Sequence, residues 1–451
     1  MKRLKPLWDR LLFQDKGVLP TKTFIIYFSL FIIALFFLSF WRFSWLFLMF
    51  ATILFLCLSI IDLYLMPGRK ELTITRELTK EMERYENYLV KMTIENKSSF
   101  DCIIRIKDSF PVSFQTTFPE NQSIPKLQKT MLSYEIKPLI RGKYTIDKLY
   151  TRYRSKIGLW ERQLTFNQKD ELKVIPNLSE TKKYLASAQN YLLHEGIKIR
   201  KMKSGMGEFS KVRSYVVGDD PRKMNWRQSA KLQEMMTNEY EPEHGKNLTI
   251  LIDCGRMMGV ELEEGNRLEK SIEATITLAT AALDNGDHVS VIAFSKDIKT
   301  VIPSGKGLDH LNTILQGIYS LQVDPQESNY ELAIRYIQSV QNKRSMIILF
   351  SDIQTFIHED HHLFYLKELR RKHLFLMLGI KDLLLHQKIE KKPTTVKLAM
   401  EKSVAQKQYL LQKKGMRKWE KHGLPMLESP AEDLAVTAVS QYIDTLNRGL
   451  L

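Results

Sequence analysis

Two long uncharged runs near the amino terminus constrain this chain more than any other feature. Thr23–Phe40 contains 18 residues without a charge, and Leu46–Met66 contains 21 residues interrupted only by Asp62. A helix needs about 20 apolar residues to cross the ~30 Å hydrocarbon core of a bilayer. The intervening Trp41–Trp45 suits a tight turn with tryptophans at the membrane interface. We therefore predict a transmembrane helical hairpin over residues 23–66, with spans at about 23–40 and 46–66.

The charges that flank these runs predict their orientation. The turn holds only Arg42, whereas both outer flanks are basic, with Lys2, Arg3, Lys5, Arg10, Lys16, Lys22, Arg69 and Lys70. The positive-inside rule places both termini and the soluble domains in the cytoplasm, with residues 1–22 as a basic segment beside the cell membrane. A cleaved signal peptide is the alternative for the first run, but no small-residue cleavage site follows it. We expect Asp62 to reach the membrane interface; the alternative is a functional carboxylate inside the membrane.

Residues 70–178 have the alternating pattern of short β-strands. Examples are Tyr88–Ile94, Cys102–Ile106, Tyr144–Arg152 and Glu171–Ile175, separated by turn signals such as Arg141-Gly142-Lys143. Short strands at this spacing predict a small all-β, sandwich-like domain. We find no catalytic constellation in it, so we expect a spacer or a protein-contact domain.

Residues 179–245 form a more polar connector that contains the densest cluster of distinctive residues in the chain. The cluster consists of Arg213, Tyr215, Gly218, Asp219, Asp220, Arg222, Asn225 and Trp226. Gly218–Pro221 predicts a turn, and Asp219 or Asp220 could cap a helix that opens at Pro221. Arg222 and Trp226 would share one face of that helix. We favour a clamp that holds the connector to the next domain by ion pairing and tryptophan packing. The alternative is a partner-docking surface.

Apolar runs alternate with helical patterns over residues 246–451. The predicted strands are Leu248–Ile252, His288–Phe294, Met346–Phe350, His373–Ile380 and Leu424–Leu427, and the predicted helices are Arg267–Leu283, Leu308–Leu321, Tyr330–Gln341 and Glu432–Leu446. This alternation predicts a parallel, doubly wound α/β sheet. Ligands of such sheets bind beyond the carboxyl ends of the strands, where Asp253 and Asp352 are expected to lie.

Several of these segments together resemble domain-of-unknown-function family 58. They are the run Gly207–Ala230, the strand ending in Asp253 with Met257-Met258, Gly286–Val289, and Phe350-Ser351-Asp352. That family has a von Willebrand factor A-like domain, commonly carries a membrane hairpin and a β domain upstream, and is often encoded beside MoxR-type AAA+ ATPases. The resemblance covers nearly the whole chain. It implies a scaffold or adaptor that works with such an ATPase, and no enzymatic activity is established for the family.

The acidic strand ends depart from the metal site that the resemblance implies. Von Willebrand A domains that bind Mg²⁺ use Asp-x-Ser-x-Ser, because a hard cation needs hydroxyl oxygens beside the carboxylate. Here Gly255 and Met257 replace both serines after Asp253, and Ser328-Asn329 only approximates the expected threonine loop. We therefore expect Asp253 and Asp352 to form a degenerate site without a metal or another cofactor. Arg256 could instead form a salt link to one of the aspartates.

His358-Glu359-Asp360-His361-His362 matches the HExxH zinc-protease pattern, in which two histidines on one helical face bind the metal. The interior of the motif is polar, and no convincing third ligand follows. A metal-dependent hydrolase that uses His358, Glu359 and His362 therefore remains the alternative to a non-enzymatic adaptor. The chain has no Gly-x-x-x-x-Gly-Lys-Ser/Thr phosphate loop, so any ATP hydrolysis must come from a partner.

Half of the net charge of +16 lies in one segment, residues 381–421, which holds twelve Lys and Arg against four acidic residues. We predict a basic helical insertion that is solvated or contacts anionic lipid or an acidic partner. Nucleic acid is disfavoured because the segment is poor in aromatic stacking residues. Three widely spaced cysteines indicate a reducing compartment. The leading hypothesis is a membrane-anchored adaptor in contact with the lipid bilayer and a cytoplasmic protein, whose oligomeric state the sequence does not specify.

Overall fold

A computed structural model describes residues 17–40, 45–186, 208–241, 245–358 and 362–451. The chain divides into two compact units, Met1–Ile175 and Pro176–Leu451. The segment predicted as a connector therefore belongs to the second unit. Most of the basic amino-terminal segment and the turn over residues 41–44 lie outside the described residues.

The first unit begins with two apolar helices that follow the short strand β1 (Val18–Pro20). They are α1 (Lys22–Ser39) and α2 (Trp45–Tyr64). Both are long and apolar enough to cross a membrane. They pack on each other through aromatic rings, with the Phe31 and Phe55 ring centroids 4.6 Å apart. Most of their other large apolar side chains are exposed, which is the surface that a lipid environment would cover.

Asp62, near the end of α2, is 1% exposed and is held by the β domain. Its carboxylate accepts hydrogen bonds from the Ser155 hydroxyl and from the backbone N–H groups of Leu159 at 2.8 Å and Trp160 at 3.0 Å. The Thr21 hydroxyl, at the start of α1, donates to the Gly158 carbonyl in the same loop at 2.6 Å. Asp62 was expected to reach the membrane interface; the structure adds that the loop between two strands of the β domain supplies its hydrogen-bond donors. Both helices are thereby fastened to this loop.

The β domain is a sandwich of two sheets. Its strands are β2 (Leu72–Glu77), β3 (Glu81–Glu83), β4 (Tyr88–Asn96), β5 (Cys102–Asp108), β6 (Phe114–Thr117), β7 (Gln122–Ile124), β8 (Gln128–Pro138), β9 (Gly142–Arg154) and β10 (Trp160–Ile175). One sheet has the order β1-β10-β9-β5-β7 with β3 also on β10, and the other has the order β2-β4-β8-β6. Alternate residues such as Ile74, Val90, Ile104 and Leu149 meet in one core between them.

A buried ion pair joins the two sheets. Arg76 on β2 donates to Asp108 on β5 at 2.5 Å and to Asp170 on β10 at 2.5 Å. The remaining N–H groups of Arg76 reach the carbonyls of Ile146 at 3.0 Å and Gln168 at 2.9 Å. Burial lowers the pKa of Arg76, but the hydrogen bonds and charges of Asp108 and Asp170 outweigh it and raise the pKa. This arginine is fully charged and links the sheets.

The second unit starts with α3 (Ser179–Ala186) and an antiparallel hairpin. The hairpin strands are β11 (Glu208–Ser214) and β12 (Met236–Glu241), and the segment between them contains a 3₁₀ turn, Pro221–Lys223, and the short helix α4 (Trp226–Leu232). Residues 208–241 are called the hairpin arm below. Its principal contacts are internal, between β12 and the 3₁₀ turn and between β12 and α4.

The rest of the unit is a six-stranded α/β sheet. Its strands are β13 (Asn247–Asp253), β14 (His288–Phe294), β15 (Ile298–Gly305), β16 (Ser345–Phe350), β17 (Leu374–Ile380) and β18 (Met426–Ser429). Its helices are α5 (Arg267–Asp284), α6 (Leu308–Ile318), α7 (Tyr330–Val340), α8 (Ile353–His358), α9 (His362–Lys372), α10 (Leu383–Glu390), α11 (Val396–Lys421) and α12 (Leu434–Asn447). The strand order is β15-β14-β13-β16-β17-β18, with β15 antiparallel to β14 and the other pairs parallel.

Helices cover both faces of this sheet. Alternate residues of β13 point to opposite sides, so that Ile250 packs with α5 and α12, whereas Leu251 packs with α7 and α8. The doubly wound arrangement was predicted, but the antiparallel edge strand β15 was not. The basic insertion is two helices, α10 and α11. Trp419 on α11 is buried with its ring centroid 5.4 Å from that of Phe356, so α11 contributes to the core as well as presenting charge to solvent.

Candidate functional site at the carboxyl edge of the sheet

The strand order places a topological switch point between β13 and β16. In a doubly wound sheet with this order, the crevice beyond the carboxyl ends of these two strands is the usual ligand site. Asp253 is the last residue of β13, and Asp352 follows β16 by two residues. Both predicted acidic residues therefore lie at the switch point, and both are buried.

Four donors already saturate the Asp253 carboxylate. The Ser328 hydroxyl donates to one oxygen together with the Gly255 N–H at 2.8 Å. The other oxygen accepts from Ser351 at 2.5 Å and from the Tyr330 hydroxyl at 2.9 Å. Burial raises the pKa of Asp253, whereas its hydrogen bonds act in the opposite direction. Asp253 therefore organises the loops around it, and it presents no unpaired oxygen to a ligand.

Asp352 is neutralised by an arginine that the sequence analysis did not identify. Arg267, the first residue of α5, donates to one Asp352 oxygen at 2.6 Å, and their side chains are 9% and 4% exposed. The other oxygen accepts from the Thr355 N–H at 3.1 Å and hydroxyl at 2.8 Å, in the first turn of α8. Arg256, the predicted partner, instead pairs with the exposed Glu327 at 3.1 Å. That prediction is wrong because the loop carries Arg256 outward.

The loop geometry leaves no space for a side chain at Gly255. A Cβ atom at Gly255 would lie 2.0 Å from the Ser328 hydroxyl oxygen and 3.2 Å from an Asp253 carboxylate oxygen. The Ser328 side chain therefore occupies the space that a side chain at position 255 would need. Among the described residues, no group of three or more His, Cys, Asp and Glu side chains is placed to hold a metal ion.

Glu428 on β18 brings a third carboxyl group close to Asp352. Burial and the negative charge of Asp352 raise the pKa of Glu428, while Lys381 and Arg267 lower it. Its side chain accepts a hydrogen bond from the Gln412 amide on α11. Glu428, Arg267, Tyr330 and Ser351 come from separate elements, and no local motif in the sequence marks them as neighbours.

The predicted cluster in the hairpin arm is organised by one arginine–aspartate pair. Arg213 on β11 donates to both carboxylate oxygens of Asp219, at 2.7 and 2.8 Å. The Asp219 carboxylate also accepts the Val216 N–H at 2.9 Å, and Tyr215 donates to the Asp219 carbonyl at 3.5 Å. Gly218 between them has a φ of +112°. The Arg213 guanidinium and the Val216 N–H hold the pKa of Asp219 below its ordinary value.

The helix predicted to open at Pro221 is only a single 3₁₀ turn. Asp220 caps it by accepting the Arg222 N–H at 3.0 Å, but Met224 is extended and ends it. Asn225 then caps α4, accepting the Gln228 N–H at 3.1 Å. Arg222 and Trp226 therefore do not share a helical face. Trp226 is 68% exposed, so the predicted clamp by tryptophan packing is wrong. Arg213 pairs within the hairpin arm, with Asp219 in its turn and with Glu239 on β12 at 3.7 Å.

Only the two ends of the histidine motif lie among the described residues. His358 ends α8 and His362 begins α9, while Glu359, Asp360 and His361 lie outside the described residues. Asp352, 2.6 Å from Arg267, lies just before α8 and is paired. Nothing in the described part of the chain adds a third ligand to these histidines.

Comparisons with known proteins agree with the sequence resemblance in part. A family model described as "Protein of unknown function DUF58" matches residues 211–387. The uncharacterized protein YeaD of Bacillus subtilis is 23% identical over 238 residues, which cover 50% of this chain and 56% of YeaD. The chain thus matches little more than half the length of that curated relative. The matched family region begins inside β11 and includes most of the hairpin arm and the switch point.

Solved structures resemble parts of the chain only weakly. The conserved hypothetical protein BatB from Bacteroides thetaiotaomicron aligns with a TM-score of 0.31 at 18% identity, over 45% of this chain and 100% of that one. A PapD-like domain of human CEP192 aligns with a TM-score of 0.18 at 13% identity, over 23% of this chain and 85% of that one. The chain is therefore similar to the DUF58 family over residues 211–387.

Proposed function

We propose that this protein is a membrane-anchored, non-enzymatic adaptor. In this proposal the apolar helix pair anchors it, the β sandwich is a spacer, and the α/β unit is a cytoplasmic von Willebrand factor A-like domain. The hairpin arm is the docking surface for a MoxR-type AAA+ ATPase.

Exposed apolar side chains on the hairpin arm carry the proposal. Val217 is 96% exposed and Trp226 is 68% exposed, and Val216, Leu232 and Met235 are exposed within the same segment. Grouped apolar residues on a polar surface mark interaction sites, and tryptophan with arginine is typical of interface hot spots. The Arg213–Asp219 pair fixes the turn that presents Val216 and Val217. Such preorganisation reduces the entropy lost on binding.

The closed switch point favours an adaptor over an enzyme. Asp253 and Asp352 accept hydrogen bonds on both of their oxygens, and Arg267 supplies the positive charge that a metal would otherwise contribute. A general base or metal ligand needs an unoccupied oxygen directed at a substrate. The strand order, with acidic residues at the switch point, is consistent with a von Willebrand A-like domain that has lost its metal site.

The cytoplasmic orientation rests on the basic flanks of the two apolar runs. A reporter that is active only outside the cytoplasm, fused after Leu451, should remain silent, while a reporter active only in the cytoplasm should function there. The reverse pattern would overturn the orientation without bearing on the docking surface.

A binding experiment tests the docking surface. The full chain is reconstituted in phosphatidylcholine nanodiscs, and its affinity for the MoxR-type ATPase of the same organism is measured by biolayer interferometry. The variant Val217→Ser/Trp226→Ala should weaken binding at least tenfold, as expected for a hot spot worth more than about 1.4 kcal/mol. The matched control Val112→Ser/Met131→Ala removes two exposed apolar side chains from the β domain and should leave binding unchanged.

Thermal unfolding of both variants separates docking from folding. Surface substitutions usually change stability by no more than about 0.5 kcal/mol, so both variants should melt like the parent. Equal binding by both variants would place the docking surface elsewhere. No binding by the parent chain would reject the ATPase as its partner.

A further inference from the structure

A strongly basic cavity lies at the amino edge of the α/β sheet, opposite the switch point. Its volume is about 570 Å³, and its cationic lining consists of Arg344, Lys367, Arg370, Arg371, Lys372 and Lys421. Arg344 directly precedes β16, and Lys372 ends α9 just before β17. The cavity is therefore formed where two neighbouring strands begin, and it is separate from both the switch point and the hairpin arm.

The charge of this cavity is not balanced by acidic groups. Within the described ranges, none of the six cations pairs with a carboxylate, and no Asp or Glu lines the cavity. Like charges held together repel one another and oppose folding. Elsewhere in the second unit, basic side chains do find partners, as Arg335 does with Glu331 at 2.6 Å. A bound anion would reduce the repulsion between these cations.

A buried histidine lines the same cavity with a ring nitrogen that is unpartnered in the described part of the chain. His373 lines it and is only 2% exposed. Its Nδ1 atom lies 3.0 Å from the buried Ser345 hydroxyl, while its Nε2 atom has no partner among the described residues. If Ser345 donates to Nδ1, the proton resides on Nε2, and a neutral imidazole then offers one unpaired N–H. Burial, with the charges of Lys372 and Arg344, lowers the pKa of His373.

One arginine of the cavity is held in place before any ligand binds. Arg370 donates to the His422 carbonyl at 2.7 Å. The next residue, Gly423, has a φ of +71°, and a Cβ atom there would lie 1.9 Å from the Arg370 guanidinium carbon. Glycine thus leaves the space that the guanidinium occupies. A guanidinium fixed in this way loses little entropy when it binds an anion.

We propose that this cavity binds a phosphoryl group. Arginine guanidinium and lysine ammonium groups bind phosphate through short, charge-assisted hydrogen bonds. The Nε2 atom of His373 adds a further donor when Ser345 donates to Nδ1. A phosphoryl group with several acceptor oxygens would satisfy the buried donor and offset the repulsion between the cations. The group could belong to an anionic lipid headgroup or to free phosphate, and these two sources can be separated by experiment.

Calorimetry on the full chain in neutral maltoside micelles tests the proposal. Inorganic phosphate and short-chain dihexanoyl phosphatidic acid are titrated separately at matched ionic strength. Binding of phosphate assigns a soluble source, and binding of the phosphatidic acid alone assigns a headgroup. Binding of neither ligand at millimolar concentration would overturn the proposal.

Matched charge variants distinguish a built cavity from diffuse attraction. Arg344→Gln/Arg371→Gln should weaken binding at least tenfold, because it removes two lining cations. Lys407→Gln/Lys414→Gln removes the same charge from exposed positions of α11 outside the cavity and should change binding less than twofold. An equal loss in both variants would overturn the proposal. Melting of each unliganded variant verifies that the fold is intact.

Discussion

Replacing Arg267 by methionine should destabilise the α/β unit strongly. Arg267 and Asp352 are 9% and 4% exposed, so the substitution leaves a carboxylate charge buried without its cation. Removing one member of a buried pair costs roughly 3–5 kcal/mol, much of it the desolvation of the charge that remains. The Thr355 N–H and hydroxyl still bind Asp352, which favours the lower part of this range.

Hydrogen exchange with mass spectrometry measures this effect locally. Exchange protection of peptides from β13, β16 and α5 should fall by roughly 100- to 4,000-fold, since each 1.4 kcal/mol is a factor of ten. Peptides from the β sandwich in the first unit serve as an internal reference and should not change. The local readout is needed because a chain with two units is not expected to unfold in a single transition.

A second variant tests whether the uncompensated charge is the cause. Arg267→Met/Asp352→Asn removes both charges and keeps an acceptor oxygen for Thr355. It should recover most of the lost protection, because replacing both members of a buried pair is often nearly neutral. If the double variant is as unstable as Arg267→Met alone, the reasoning from buried charge is refuted, and the packing of the arginine stem is responsible instead.

Three further predictions concern other buried or partly buried groups. Arg76→Met should lower the stability of the β sandwich by roughly 3–5 kcal/mol, measured by exchange of β2 and β5 peptides, because Asp108 remains buried. The pKa of Glu428 is raised, so the native state binds its proton more tightly than the unfolded chain does. The free energy of unfolding should therefore fall as the pH rises from the ordinary pKa of 4.5 through the raised pKa. Glu428→Gln should flatten that slope in pH-dependent melting. Burial raises the pKa of Cys102 to about 12, so iodoacetamide at pH about 8 should label it only after denaturation, as mass spectrometry would detect.

The architecture was predictable wherever periodicity and burial agree. His288–Phe294 was predicted as a strand and is β14 with those bounds, since a parallel strand covered on both faces is continuously apolar. The helix predicted over Arg267–Leu283 is α5, Arg267–Asp284. The edge strand β15 was missed because one side of it faces solvent and its sequence, Ile298–Gly305, includes Pro303 and polar residues.

The two acidic positions of the candidate site were predictable, but their partners were not. Asp253 and Asp352 were found because they end apolar strands. Arg267 lies 85 residues before Asp352, and Tyr330 lies 77 residues after Asp253, so only the tertiary fold brings them together. Trp226 was wrongly predicted to pack in a clamp because large aromatic residues are usually buried. The predicted helix that would have placed it there is only a single 3₁₀ turn at Pro221.

Magnesium should not stabilise the α/β unit, and the reason lies in what already occupies the switch point. A cation there would need unoccupied carboxylate oxygens with hydroxyl ligands at positions 255 and 257. Position 255 has no space for a side chain, since Ser328 lies where its Cβ would be, and Arg267 holds Asp352 at 2.6 Å. Displacing Arg267 would leave its guanidinium buried and unpaired, which costs several kcal/mol.

A bound ligand at 100 times its dissociation constant stabilises the native state by about 2.7 kcal/mol, so binding would be measurable as a higher melting temperature. We expect exchange protection of β13 and β16 and the melting temperature of the full chain to be the same in millimolar Mg²⁺ and in EDTA. An increase in Mg²⁺ that disappears in Asp253→Asn would show that a cation can displace Arg267 after all. The Arg267→Met variant gives a complementary test, because it removes the cation that competes with Mg²⁺. If Mg²⁺ restores the exchange protection of β13 and β16 in this variant, Arg267 is the group that excludes the metal from this edge of the sheet.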